Sequence, residues 1–297
     1  MIDQAQILRK IAMEKRGLDE FIVENENVPK IITIASGKGG VGKSNLATNL
    51  SICLTKLNKK VLILDADIGM SNIDIIMGVN VKGTIIDVIN GEKNIEDIIS
   101  QTKYGVNIIS GGSALNHIED FTEAQRNKFI HSIEQIHDVD FIIIDTGAGM
   151  SKSLLSFIYC STEFFLITTP EPTSLTDAYS LLKAISNFGI KRSANIIINR
   201  VIDLEEAKST YKRIKMVVDK FLNLNLELYG YIIDDKKVSL CVKKQIPFIL
   251  EYPTSIASKC IIAIAKRMVS QSREDIVDNK SFLRKMFSIF TVSYTHL

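Results

Sequence analysis

The chain has 297 residues, with 36 Lys and Arg against 34 Asp and Glu, a formal net charge of +2, and 46% apolar and 24% charged residues. That length suits one large α/β domain or two small ones, and the ordinary composition excludes disorder, collagen and coiled coil as whole-chain descriptions. The near-neutral balance argues against a protein held to nucleic acid by bulk charge.

Residues 2–16 read as an amphipathic helix, with Asp3 as N-cap and Ile7, Leu8, Ile11 and Ala12 along one face. A polar, acidic linker, GLDEFIVENENVP (17–29), leads to the first strand, KIITIAS (30–36). Further strands are expected at 60–65, 104–110, 140–145, 163–169, 195–199 and 227–233. Most are near-continuous runs of Ile, Leu, Val and Phe, as expected of strands covered on both faces. Helical stretches fall between them, among them 43–57, 122–137, 174–188, 203–222 and 254–270. This alternation predicts βαβ units and a doubly wound, mainly parallel sheet with helices on both faces, the fold class of a P-loop NTPase. A polar linker (271–280) then leads to SFLRKMFSIF (281–290), and the closing TVSYTHL (291–297) continues no pattern.

Cys53, Cys160, Cys241 and Cys260 lie far apart with no C-x-x-C pair, which reads as reduced, buried thiols and not as a disulfide framework or metal site. The four histidines show no H-x-x-x-H pair, so a protein-built zinc site is not expected. No stretch approaches the ~18 apolar residues of a membrane span, and the charged N-terminus does not read as a signal peptide. The chain is expected to be cytoplasmic.

SGKGGVGKS follows the first strand directly and opens a helix, matching G-x-x-x-x-G-K-[ST] at Gly37, Gly42, Lys43 and Ser44. Gly39, Gly40 and Val41 complete a loop whose successive N–H groups can point inward at phosphate oxygens. The helix N-terminus adds positive potential, Lys43 meets the β/γ phosphates, and the Ser44 hydroxyl is placed for Mg²⁺. FIIID ends at Asp145, a carboxylate at the tip of an apolar strand, as needed to hold Mg²⁺ through water. TGAG (146–149) follows it. VLILDAD carries Asp65 and Asp67 at the mouth of the second strand, where an acid can orient an attacking water or simply cap the next turn.

These residues resemble the deviant Walker ATPases of the MinD/ParA class, over roughly 30–270. The marker is Lys38, an extra lysine early in KGGVGKS. The resemblance implies slow hydrolysis of ATP to ADP, and a homodimer formed with ATP in which Lys38 reaches the partner's nucleotide. It also implies that Asp67 polarises the attacking water and that Asp145 is the Walker B acid. Asp177 would lie near the dimer face, Asn199 would contact adenine, and GYIIDDKKV (230–238), with Asp235, would close over the base. This last segment departs from the family's G-x-I-P-x-D, with Ile233 where proline is expected.

The two ends suggest the subfamily. DQAQILR (3–9) is similar to the D-Q-A-x-x-L-R motif at the N-terminus of the FlhG (YlxH) regulators of flagellar number and placement. In that family this helix docks on the SRP-type GTPase FlhF and stimulates it. The resemblance makes Asp3, Gln4, Ile7, Leu8 and Arg9 the partner-binding residues; the competing reading is a helix packed on its own domain. At the other end Phe282, Leu283, Met286, Phe287 and Phe290 line one face, with Lys280, Arg284 and Lys285 able to reach anionic headgroups. That segment resembles the membrane-targeting helix of MinD-type proteins and implies reversible, peripheral residence on the inner face of the cell membrane. Each cation gains only about 1 kcal/mol at such a surface, so one copy binds weakly and two copies on an ATP dimer gain avidity. Flagellar C-ring proteins stand as further candidate partners.

A MinD of the division septum begins almost at its first strand, so the N-terminal extension counts against that reading. A ParA-type DNA-partition protein needs a basic surface. An iron–sulfur carrier needs suitably placed cysteines, and a tyrosine-kinase relative a tyrosine-rich tail, where only Tyr294 is present. A nucleotide-binding scaffold is the non-enzyme alternative, and the presence of both Asp67 and Asp145 favours turnover.

Overall fold

The computed structural model describes residues 29–67, 73–112, 121–136 and 138–271. The N-terminal helix, most of the acidic linker and the whole C-terminal amphipathic segment therefore lie outside the described residues. Among the described residues eight strands form one sheet: β1 (Lys30–Ser36), β2 (Val61–Ala66), β3 (Ser100–Gln101), β4 (Val106–Ser110), β5 (Phe141–Ala148), β6 (Glu163–Thr168), β7 (Ser193–Val201) and β8 (Asn225–Ile233). Their order is β3-β4-β2-β5-β1-β6-β7-β8. Every pairing is parallel except the two-residue β3 against β4.

The apolar runs are strands because both faces are covered, and alternate residues feed different cores. Ile32, Ile34, Ile63 and Ile143 pack under α1 (Lys43–Lys56) and α11 (Ile256–Gln271). Ile31, Leu62, Ile142 and Ile144 face the opposite way, toward α3 (Ile85–Asn90), α4 (Ile95–Ile98) and α5 (Glu123–Glu134). Leu166, Ile196 and Ile198 continue that second face under α6 (Lys152–Cys160), α7 (Pro172–Asn187) and α8 (Leu204–Phe221).

The expected strands are all present, with shifted ends. The strand placed at 104–110 begins only at Val106, because Gly105 takes a left-handed φ of 79° and its N–H bonds back to the Thr102 carbonyl at 3.1 Å. The helix placed at 122–137 is Glu123–Glu134, opened by a capping box between Thr122 and Gln125. Sequence reading did not single out β3, α2 (Ile73–Met77), α3, α4, α6, α9 (Lys236–Lys244) or α10 (Phe248–Glu251).

The β8 margin is closed by a side chain. The register between β7 and β8 slips between Ile196–Leu228 and Ile197–Gly230, leaving Tyr229 as the extra residue of a bulge. Arg267 of α11 donates to the Leu228 carbonyl at 3.1 Å and the Tyr229 carbonyl at 2.9 Å, and pairs with Glu227. Its guanidinium also lies 4.2 Å from the Tyr229 ring centroid. Among the described residues no helix is long and apolar enough to cross a membrane.

Candidate nucleotide site

The chain passes from β1 to β2 on one side and from β5 to β6 on the other, so the strands around β1 open a crevice at their carboxyl ends, where parallel sheets place ligands. The phosphate loop leaves β1 at this point. Gly40 and Gly42 have φ of 75° and 104°, and Gly42 is the N-cap of α1. A Cβ at Gly37 would lie 2.2 Å from the Asp177 carbonyl oxygen, and one at Gly42 would lie 2.4 Å from Asn199 Nδ2. The loop is thus clasped between α7 and the end of β7, and Asn199 Nδ2 donates to the Val41 carbonyl at 2.8 Å.

Lys43, only 7% exposed, donates to Ser36 Oγ at 3.0 Å, and Ser36 in turn donates to the Lys38 carbonyl at 2.7 Å. Burial pulls the Lys43 ammonium below its ordinary range, while the charges of Asp145 and Asp67 oppose the shift. Asp145 is fully buried on β5, level with Ile34 of β1 and with Asp65 of β2. Burial raises its carboxyl to about 7; Ser44 nearby favours the charged form, and Asp65 opposes it. Despite that closeness, neither Asp145 oxygen has a hydrogen bond of ordinary geometry. An acceptor pair so enclosed is costly unless something meets it, and a hard cation beside a hydroxyl suits that donor set.

Asp67 follows β2, its backbone N–H bonded to Asp65 Oδ1 at 3.1 Å. A Cβ on Gly147 would come within 3.3 Å of Asp67 Oδ1, so this carboxylate stands against the end of β5. That end is tied back to the phosphate loop by Gly149 N–H donating to the Ser36 carbonyl at 3.1 Å. The structure thus brings Lys43, Ser44, Asp67 and Asp145 to one place.

Lys38 points elsewhere: its ammonium bonds Glu171 Oε2 at 3.0 Å and Thr173 Oγ1 at 2.9 Å, at the start of α7. Sequence reading missed Glu171 and Thr173, whose only signal is an acid and a hydroxyl flanking a proline at a helix start. Asp177 lies in the second turn of the same helix. Asn199, expected at the adenine, is engaged with the loop backbone, and its Oδ1 accepts from Arg200 N–H at 2.9 Å. Asp235 caps α9, accepting from Lys237 N–H at 2.9 Å. Cys53, Cys160 and Cys241 are buried and Cys260 is half-buried, and no group of three metal-binding side chains occurs among the described residues.

The model of the ParA family, described as "NUBPL iron-transfer P-loop NTPase", matches residues 27–269. The chain belongs to the ParA family of P-loop NTPases. It is an ATPase of the MinD/ParA class. The antiactivator FleN of Pseudomonas aeruginosa is 32% identical to it over 242 residues, covering 81% of this chain and 86% of FleN. The flagellum site-determining protein YlxH of Helicobacter pylori is 32% identical over 250 residues, covering 84% of each chain. Among solved structures, the septum site-determining protein MinD of Pyrococcus horikoshii, complexed with Mg-ADP, superposes with a TM-score of 0.65 at 27% identity, over 84% of this chain and all of that one.

Proposed function

We propose that this ATPase is a nucleotide-driven switch of the FlhG type, setting flagellar number or placement. The carrying observation is that the flagellum site-determining protein YlxH aligns with 84% of the chain, as the antiactivator FleN does with 81%. DQAQILR, in front of the ATPase domain, supports the same reading.

In this reading ATP enters with its phosphates in the 37–44 loop, where inward N–H groups and the α1 dipole hold them and Lys43 exchanges its bond to Ser36 for phosphate oxygens. Ser44 and Asp145 would hold Mg²⁺, which would supply charge neutralisation for phosphoryl transfer. Asp67 orients the attacking water beside the end of β5. Lys38 leaves Glu171 to reach the second protomer's nucleotide, so binding couples to dimerisation. Asn199 and the segment around Asp235 lie beside the base. Dimerisation then pairs two 281–290 helices on an anionic membrane, and residues 3–9 stimulate an FlhF-type GTPase; C-ring proteins are the further docking partners.

The test adds the full-length chain with ATP to a cognate FlhF-type GTPase. GTP turnover rises with the wild-type chain and stays basal with Gln4→Ala, whose own ATPase is unchanged. Stimulation by neither removes the flagellar reading and leaves the septum-site reading, which the likeness to MinD favours, whereas equal stimulation by both would take Gln4 out of the contact.

A further inference from the structure

The end of the sheet remote from the nucleotide carries a second, differently built feature. A cavity of about 710 Å³ opens between the C-terminus of α1 and the starts of β2 and β4, lined by Lys56, Asn58, Lys59, Lys60, Tyr104 and Asn107, among others. Lys59 pairs with Asp140 at 3.4 Å and Lys60 pairs with Asp138. Lys56 has no ion pair among the described residues, and neither has Lys103, whose ammonium lies 5.2 Å from the Tyr104 ring centroid. Three lysines line the cavity and Lys103 stands next to its Tyr104; of the four, Lys59 and Lys60 are paired with carboxylates, which leaves Lys56 in the lining and Lys103 beside it.

The chain enters the fold beside this cavity. Lys30, the first residue of β1, donates its N–H to the Asp140 carbonyl at 2.8 Å, and Asp140 N–H donates to the Lys60 carbonyl at 2.8 Å. The entry point is therefore two strand positions from the cavity wall, roughly 10 Å at the usual spacing of parallel strands. The residues just upstream are acidic: Asp19, Glu20, Glu24 and Glu26, with no Lys or Arg between Gly17 and Pro29. An extended chain advances about 3.3 Å per residue, so Glu26 can reach about 10 Å from Pro29 and Asp19 about 30 Å.

We infer that the cavity is the docking site of the chain's own acidic linker, residues 19–26, whose carboxylates meet Lys56 and Lys103. Docking fixes where residues 1–16 leave the domain, at the end opposite the nucleotide. It goes beyond the proposed flagellar role and does not depend on it, because the juxtaposition would serve any N-terminal segment.

The experiment places a photo-cross-linking amino acid at position 25 of the full-length chain and maps the products by mass spectrometry. Cross-links within one chain to 55–61 and 101–107 are expected. Raising ionic strength from about 0.1 to 1 M shortens screening from about 10 to 3 Å and should cut the yield about three-fold or more. The double variant Lys56→Glu, Lys103→Glu should lose a similar share, and adding Glu24→Lys and Glu26→Lys should restore it. Cross-links to another region, cross-links only between two chains, or yields indifferent to salt and charge reversal would each overturn the assignment. GTPase stimulation is not read in this experiment, so its failure and that of the flagellar reading are separable.

Discussion

At the scale of single residues the site is governed by how deeply its charges are enclosed. Asp145 titrates near 7 in the fold against 3.8 ordinarily, mainly through burial. A raised acid stabilises the fold through its neutral form, fully present below about pH 4 and lost as the pH rises through about 7. The Tm of nucleotide-free protein therefore carries a downward contribution from Asp145 between about pH 4 and 7. Asp145→Asn removes it: the difference in Tm between variant and wild type grows in the variant's favour across that interval, while ATP hydrolysis is lost. Parallel Tm profiles would show that Asp145 does not titrate there. Lys43 was legible in the sequence from the G-x-x-x-x-G-K-[ST] match, and Asp145 and Asp65 because each ends an apolar strand, where a buried charge needs a purpose. Asn199 came only from the family resemblance, and its bond to Val41 joins positions 158 residues apart, which no local pattern announces.

Among the elements, those with a strong period and clear caps were readable, and those shaped by packing were not. KSLLSFIYC, which forms α6, is an apolar run too short for periodicity to separate helix from strand, and its Ser151 cap acts only once Leu154 N–H is 3.0 Å away. The bulge in β8 is likewise invisible in NLELYGYII, since it arises where Tyr229 turns its carbonyl toward Arg267. That arrangement predicts a specific cost. Arg267→Ala strips two carbonyl partners and the cover of the Tyr229 ring, and the loss should be about 1–3 kcal/mol in chemical unfolding. Arg267→Lys should recover only part of it, because Nη1 alone holds both carbonyls while Nη2 pairs with Glu227, and an ammonium cannot do both and lie flat on the ring. Full recovery by lysine would reduce the contact to its charge.

Across the whole molecule, the fold class and the order of its parts could be read from alternating apolar runs and helical stretches, whereas strand order could not, because a crossover is set by which helices cover which face. Lys38 links this scale to assembly. Its pair with Glu171 is part-exposed, with side chains 39% and 58% accessible, so Lys38→Ala should change monomer stability by no more than about 1 kcal/mol. If the proposed dimer is correct, the same variant stays monomeric with ATP in light scattering, where wild type doubles its mass. A variant that still doubles would detach Lys38 from assembly. The closed margins of the sheet carry a further consequence. One margin ends in the two-residue antiparallel β3, and along the other Arg267 already occupies carbonyls of β8 that an incoming strand would need. Neither side offers a template on which another backbone can zip. Copies of this chain are thereby steered away from runaway fibre growth, and pairing that can be reversed is left to the ends and faces of the sheet.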